Sequence, residues 1–283
     1  MIPQAVTILS YSADCIGALP PAAHGQWSAS GVLVFTDFFS PDQCAALRAR
    51  AAALCASLRP TDPAVAFETE DQSHAQSDHF ATSGGEIRMF VEPSAPGLVN
   101  KLGHALHDRD PLFRSASRDP RLASLSRALG LTEPLLVQSM YLFKPPISGG
   151  AVPAHQDATF LRTDPPSVLG FWVALHDADR DNGCLWALTG QHREAGPRSV
   201  FGYAGGALET TVRDASPWPE ASAVPLEVRA GTLVVLHGLL PHLSHANRSG
   251  RPREAYALHV VDGAAQWHPD NWLRRDGPFS GFQ

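Results

Sequence analysis

Ala151-Val-Pro-Ala-His155-Gln-Asp157-Ala-Thr-Phe160 places an imidazole and a carboxylate two residues apart in a short extended run. On a β-strand, residues i and i+2 leave the same face, so both side chains can grip one ion. A second run, Gly231-Thr-Leu-Val-Val-Leu-His-Gly-Leu-Leu-Pro-His242, is apolar, opens on glycine and ends on another histidine. Arg253 follows eleven residues later (253 − 242). Two histidines and one carboxylate with coordination positions left open form the facial set of non-haem Fe(II) oxygenases. An arginine beside such a set supplies a bidentate, charge-assisted fork for a dicarboxylate co-substrate.

The His-x-Asp spacing is not decisive by itself. With 13 histidines in 283 residues, about one such triplet is expected by chance. A second copy, His268-Pro-Asp270, indeed occurs, but Pro269 would interrupt any ladder and thirteen residues (283 − 270) remain to supply a distant ligand. Between His155 and His242 lie enough residues for several strands to close a barrel.

Working outward, the texture after Pro134 is that of strands. Residues 135–143, 151–160, 168–175, 232–236 and 254–261 are apolar or alternating runs, separated by turn signals such as Pro145-Pro146, Asp181-Asn-Gly183 and Gly205-Gly206. The stretch 199–225 reads as an insertion at the barrel mouth. Upstream, Gly31 to Phe35 reads as a strand. Ser40-Pro-Asp-Gln43 carries an N-cap serine, proline at N1 and a capping-box glutamine, which predicts a helix to about Ser57. Leu98, Leu102, Ala105 and Leu106 have helical spacing, which predicts a helix over 97–108; Asp119-Pro120 opens another that ends at Gly130.

Residues 59–86 read as a long polar loop, a candidate lid, in which His74 and His79 are expected to be solvated. The whole describes one α+β domain over 1–283: a loosely ordered lead-in (1–30), a mainly helical part (31–130), a jelly-roll core (131–262) and a C-terminal tail (263–283).

Composition sets bounds. The chain is 44% hydrophobic and 18% charged, as expected of a globular fold, with a net charge of −6. It has no basic block, which argues against nucleic acid or an anionic membrane as a partner. Cys15, Cys44, Cys55 and Cys184 are scattered without a Cys-x-x-Cys motif, predicting free thiols in a reducing compartment. The first basic residue is Arg48, no apolar run approaches membrane-spanning length, and Gly-Phe-Gln283 is not a peroxisomal address, so the expected location is cytoplasmic. Lysine is scarce, with only Lys101 and Lys144.

Several blocks taken together are recognisable. They are Gln138-Ser-Met-Tyr-Leu-Phe-Lys144, His155-Gln-Asp-Ala-Thr-Phe160, Asp181-Asn-Gly-Cys-Leu-Trp186, Gly190-Gln-His192, His242-Leu-Ser-His-Ala-Asn-Arg-Ser249 and Arg253-Glu-Ala-Tyr256. From about Gly31 to Leu273 the chain resembles the phytanoyl-CoA dioxygenase family. The resemblance implies a double-stranded β-helix (jelly roll, cupin-like) with N-terminal helices packed against it. It also implies a dioxygenase that uses Fe(II), 2-oxoglutarate and O₂, releasing succinate and CO₂. By the same resemblance His155, Asp157 and His242 take the iron, and Arg253 takes the distal carboxylate of 2-oxoglutarate. Ser249, Lys101, Met140, Gln156 and Trp172 are implied to line the co-substrate pocket.

Competing assignments remain in the sequence. His245 is the runner-up for the distal ligand, with His237 and His259 also near, and Arg251 is the rival of Arg253. A zinc hydrolase on a cupin-like site would accept the same three ligands but has no use for Arg253 and Ser249, and an intact triad with its arginine argues against a non-catalytic ligand sensor. Substrate chemistry is legible only in outline. The mouth segments 60–86 and 196–224 offer mainly Arg198 and Arg213 as cations, beside Phe67, Phe80, Phe201, Tyr203 and Trp218. That balance favours a small, fairly apolar substrate over an acyl-CoA thioester, and no obligate protein partner is evident.

Overall fold

The structure is a computed structural model, and it describes residues 7–59, 65–68, 73–194 and 196–282. Two sheets face each other. The larger has nine strands in the order Ser10–Ser12, Val32–Thr36, Leu233–His237, Leu169–Ala174, Ala255–Asp262, Pro134–Leu142, Ala95–His104, Ile87–Glu92 and Val65–Ala66. The smaller has four: Val224–Leu226, Leu185–Ala187, His242–Ser244 and Val152–His155. Apart from the two outermost pairs of the large sheet, which are parallel, the ladders are antiparallel. This is the α+β jelly roll expected from the sequence.

Period-2 alternation explains how the large sheet is used on both sides. One face sends Phe35, Val173, Val235, Tyr256 and Leu258 into the main core, where Leu47 and Ala51 of the helix Pro41–Leu58 and Leu122 and Leu125 of the helix Pro120–Ala128 cover them. The other face sends Val34, Trp172, Val234, Leu236 and Ala257 towards Leu185, Ala187 and Leu226 of the small sheet. Each fully buried Leu or Phe contributes roughly 1.5–3 kcal/mol of transfer free energy, so both layers are firmly anchored and the space between them is held open on a rigid frame.

The helix Pro41–Leu58 begins as its sequence dictates. Ser40 Oγ accepts from the Gln43 N–H, and Gln43 Oε1 accepts from the Ser40 N–H, at 3.2 and 2.9 Å. Cys44 and Cys55 both lie on it, and all four cysteines are free thiols.

Four expectations about the N-terminal half need correction. Residues 95–104 are a strand, not part of a helix over 97–108, and only Leu106–Arg109 makes a helical turn. Local spacing favours helix, but the strand 95–104 pairs with Ile87–Glu92 along one edge, and its residues 101–104 pair with Pro134–Leu142 along the other, so tertiary ladders override the local preference. The part 31–130 is therefore not mainly helical, since it adds four strands to the large sheet. The described part of the lead-in carries regular structure: Ser10–Ser12 pairs with Val32–Thr36, and the helix Pro21–Ser30 follows. In the expected loop 59–86, residues 60–64 and 69–72 lie outside the described residues. Of the rest, His74 is buried, stacking on Phe67 with ring centroids 3.8 Å apart, rather than solvated.

Candidate active site

The strand Val152–His155 pairs with His242–Ser244, and in that register His155 and His242 are direct partners. The strand stops at His155. Asp157 opens a 3₁₀ turn, Asp157–Thr159, so ladder alternation is not what aims its carboxylate. The turn is instead docked onto residues 238–239: the Ala158 N–H donates to the Gly238 carbonyl (2.9 Å) and Gln156 Nε2 donates to the Leu239 carbonyl (2.7 Å). The sequence pair is right, and the geometry that aims it is a turn rather than a continuous strand.

The outcome is a compact donor set. One ligand atom from each of His155, Asp157 and His242 lies within 4.8 Å of the others. Asp157 Oδ1 stands 3.9 Å from His155 Nε2 and 3.8 Å from His242 Nε2. A backbone carbonyl can only accept, so His155 Nδ1 donates to Pro153 (2.9 Å) and His242 Nδ1 to Leu240 (3.0 Å). Both protons are thereby fixed on Nδ1, and both Nε2 lone pairs face the carboxylate, as metal-binding imidazoles require.

Electrostatics agree with that protonation state. Burial lowers the His155 pKa to about 4, with the His242 charge adding to the effect. Burial alone would raise the Asp157 carboxyl, but the imidazoles of His259, His242 and His155 outweigh it and hold the group well below the usual carboxylate range. At neutral pH His155 is therefore a neutral imidazole and Asp157 an ionised carboxylate. That donor chemistry, on one side of an open cavity, fits a divalent iron with positions to spare.

Arg253 is fully enclosed, whereas its rival Arg251 is exposed and paired with Asp179 at 2.5 Å. Arg253 Nε donates to the Gly183 carbonyl (3.0 Å) and Nη2 to Ser244 Oγ (3.3 Å). Nη1 is buried with no hydrogen-bond partner among the described residues. An unpaired guanidinium N–H in such a place is costly unless a ligand completes it. Trp172 Nε1 is likewise buried and unpartnered, and the Arg253 guanidinium lies 5.5 Å from the Trp172 ring centre. The residues present therefore fit a dicarboxylate.

Ser249 is not part of this pocket. Its hydroxyl donates to Asn247 Oδ1 (2.9 Å) and it shapes the turn before Arg251. Ser244, two residues after His242 on the small sheet, faces the cavity and meets Arg253 in its place. Lys101 comes from the strand Ala95–His104. It is buried, with Nζ 3.8 Å from Met140 Sδ and 3.1 Å from the Phe67 ring centre, and desolvation lowers its pKa. Gln156 borders the cavity, but its amide is committed at both ends, Oε1 accepting from the Arg198 N–H at 2.8 Å.

The rival histidines lie elsewhere. His245 is exposed with its ring 5.1 Å from Trp186, and His237 packs between Trp27 and His192. His259 is different: its Nε2 lies 3.3 Å from Asp157 Oδ2. Its role was open to a sequence reading in one respect, since it continues the inward series Ala255, Ala257, His259 at period 2. The cavity in front of the donor set holds about 510 Å³. Phe67, Phe80, Phe160, Trp218 and Trp272 give it aromatic walls. At its mouth Arg198 is bound to Glu194 (2.6 Å) and Asp214 (3.4 Å), and it stacks on Trp218 at 3.7 Å.

Comparison with known proteins adds the following. Residues 27–255 match the model of a family described as phytanoyl-CoA dioxygenase (PhyH). The mouse protein phytanoyl-CoA dioxygenase domain-containing protein 1 is 38% identical over 279 residues, covering 92% of this chain and 96% of its own length. Among solved structures, EctD from S. alaskensis with bound Fe superposes with a TM-score of 0.69 at 19% identity, covering 100% of this chain and 92% of its own. The same protein with 2-oxoglutarate and 5-hydroxyectoine gives 0.67 at 20% identity, covering 93% and 86%. The structural likeness extends over the whole jelly roll.

Proposed function

The chain belongs to the phytanoyl-CoA dioxygenase family, and from that premise we propose that His155, Asp157 and His242 hold its iron and that it hydroxylates a small, fairly apolar substrate. It is a 2-oxoglutarate-dependent dioxygenase, with Fe(II) as cofactor and O₂ as the second co-substrate. The observation that carries the assignment of residues is the convergence of two Nε2 lone pairs and one carboxylate oxygen beside a buried, incompletely paired arginine.

Held by His155, Asp157 and His242, an iron would supply the oxidative chemistry, in which decarboxylation of 2-oxoglutarate to succinate and CO₂ is coupled to insertion of one oxygen atom of O₂ into a substrate C–H bond. The protein's contribution is positional. Carbonyls of Pro153 and Leu240 hold the two imidazoles in the ligating tautomer. Arg253, braced by Gly183 and Ser244, is proposed to receive the distal carboxylate of 2-oxoglutarate through Nη1, with Trp172, Met140 and Lys101 around the co-substrate. Aromatic walls exclude water from the reacting centre.

The size and lining of the cavity support the substrate reading. About 510 Å³ suits a ligand of modest size, and the cation best placed at the mouth, Arg198, is already neutralised by two carboxylates. An acyl-CoA substrate, which the family's name suggests, would need free cations for its phosphates. The test is succinate formation from 2-oxoglutarate with candidate substrates added. Stimulation by small apolar carboxylic acids or alcohols but not by branched acyl-CoA thioesters supports the reading. Stimulation by the thioester alone replaces it with acyl-CoA 2-hydroxylation.

A further inference from the structure

Asp157 has two carboxylate oxygens, and only Oδ1 faces the two histidine Nε2 atoms. The other, Oδ2, points at His259 Nε2, 3.3 Å away, and both residues are buried. His259 lies on the strand Ala255–Asp262, across the ladder from Gly170 of the strand Leu169–Ala174. Gly170 is where the fold leaves room for the carboxylate. A Cβ there would stand 2.7 Å from Asp157 Oδ2 and 3.8 Å from His259 Cδ2. The backbone of Gly170 does not need glycine for its own conformation, since its φ is not positive. The absence of a side chain is explained by the carboxylate that occupies the space.

We propose that His259 is a positioning residue for the metal-binding carboxylate: it holds Asp157 Oδ2 in the slot opened by Gly170, so that Asp157 offers the ion a single oxygen, Oδ1. The proposal rests on the reading that His155, Asp157 and His242 bind a metal. Asp157 sits in a turn rather than a strand, so its χ angles are not set by a ladder. With one oxygen held elsewhere, the carboxylate neither swings away from the histidines nor turns both oxygens to the ion, and the remaining coordination positions stay available to the co-substrate. Partners outside the ligand set commonly tune metal sites in this way. His259 Nδ1, buried and without a hydrogen-bond partner among the described residues, leaves Asp157 as the single polar contact by which the ring is oriented.

Anaerobic titration with Co(II), followed by its visible absorption, tests this without turnover. His155→Ala serves as the reference for loss of the site. If the native protein binds no Co(II), or His155→Ala binds it as well as native, the metal-site reading itself fails. With native binding tight and His155→Ala silent, His259→Leu is expected to raise the Kd for Co(II) by about 10- to 100-fold. His259→Gln, whose amide N–H can stand near the position of Nε2, is expected to recover most of that loss. Gly170→Ala, which keeps His259 but crowds Oδ2, is expected to weaken binding as well. A Kd for His259→Leu within twofold of native overturns the proposal, as does a Gln variant no better than Leu. Should His259→Leu fail to fold, native-like Co(II) binding by Gly170→Ala overturns it instead.

Discussion

His155 and His242, far apart in the chain, are cross-strand partners, with ring centroids 4.3 Å apart on adjacent strands of the small sheet. Directly opposed side chains on antiparallel strands stand about 4.5–5.5 Å apart at Cβ, so the ladder itself sets the separation of two ligands. The third is brought to them by a turn docked on residues 238–239, just before His242. The site is thus built where one strand ends and its neighbour begins. Its geometry depends on the register of the small sheet more than on any local motif.

Arg253→Ala removes the buried fork while leaving the donor set intact. Loss of a hydrogen-bonded charged group costs about 1.5–3 kcal/mol, or roughly a 10- to 150-fold rise in the 2-oxoglutarate requirement. Steady-state titration of 2-oxoglutarate reads the rise, and Co(II) affinity in the same variant is expected to be within a few-fold of native.

Ser244 and Ser249 separate by the same assay. Ser244 accepts from Arg253 Nη2, so Ser244→Ala should raise the KM for 2-oxoglutarate several-fold. The Ser249 hydroxyl bonds within its own turn, at Asn247 and Arg251, so Ser249→Ala should leave that KM unchanged and lower thermal stability slightly.

Stability should fall on acidification through the histidine range. Burial, aided by the neighbouring His192, depresses the His237 pKa from its ordinary value near 6.5 to about 4. The unfolded chain takes up that proton first, so the contribution is complete above about pH 6.5 and declines as pH falls towards 4. The slope is at most roughly 1.4 kcal/mol per pH unit for one such group. His237→Gln should flatten the pH dependence of unfolding in that window; an unchanged slope would show that the ring charges freely in the folded state.

Much of the architecture is legible because its signals are local. The capping box at Ser40 and Gln43, the apolar runs at 168–175, 232–236 and 254–261, and the pair His155 and Asp157 all declare themselves within a few residues. What was misread depends on partners distant in the chain. Leu98, Leu102 and Leu106 have helical spacing, yet the strand 95–104 pairs with Ile87–Glu92, its residues 101–104 pair also with Pro134–Leu142, and Leu98 is left 39% exposed. Ser249 and Ser244 both follow His242 closely, and only the small sheet decides which one faces Arg253. His74 carries no sign of burial in its polar neighbours; the ring of Phe67 encloses it.

The assignment of the site is tested most directly by anaerobic addition of Fe(II) and 2-oxoglutarate, watching the visible charge-transfer band of a keto acid chelated to iron. The band is expected in the native protein, absent in His155→Ala, and shifted to higher 2-oxoglutarate concentration in Arg253→Ala. No band in the folded native protein, or an equal band in His155→Ala, would contradict the account.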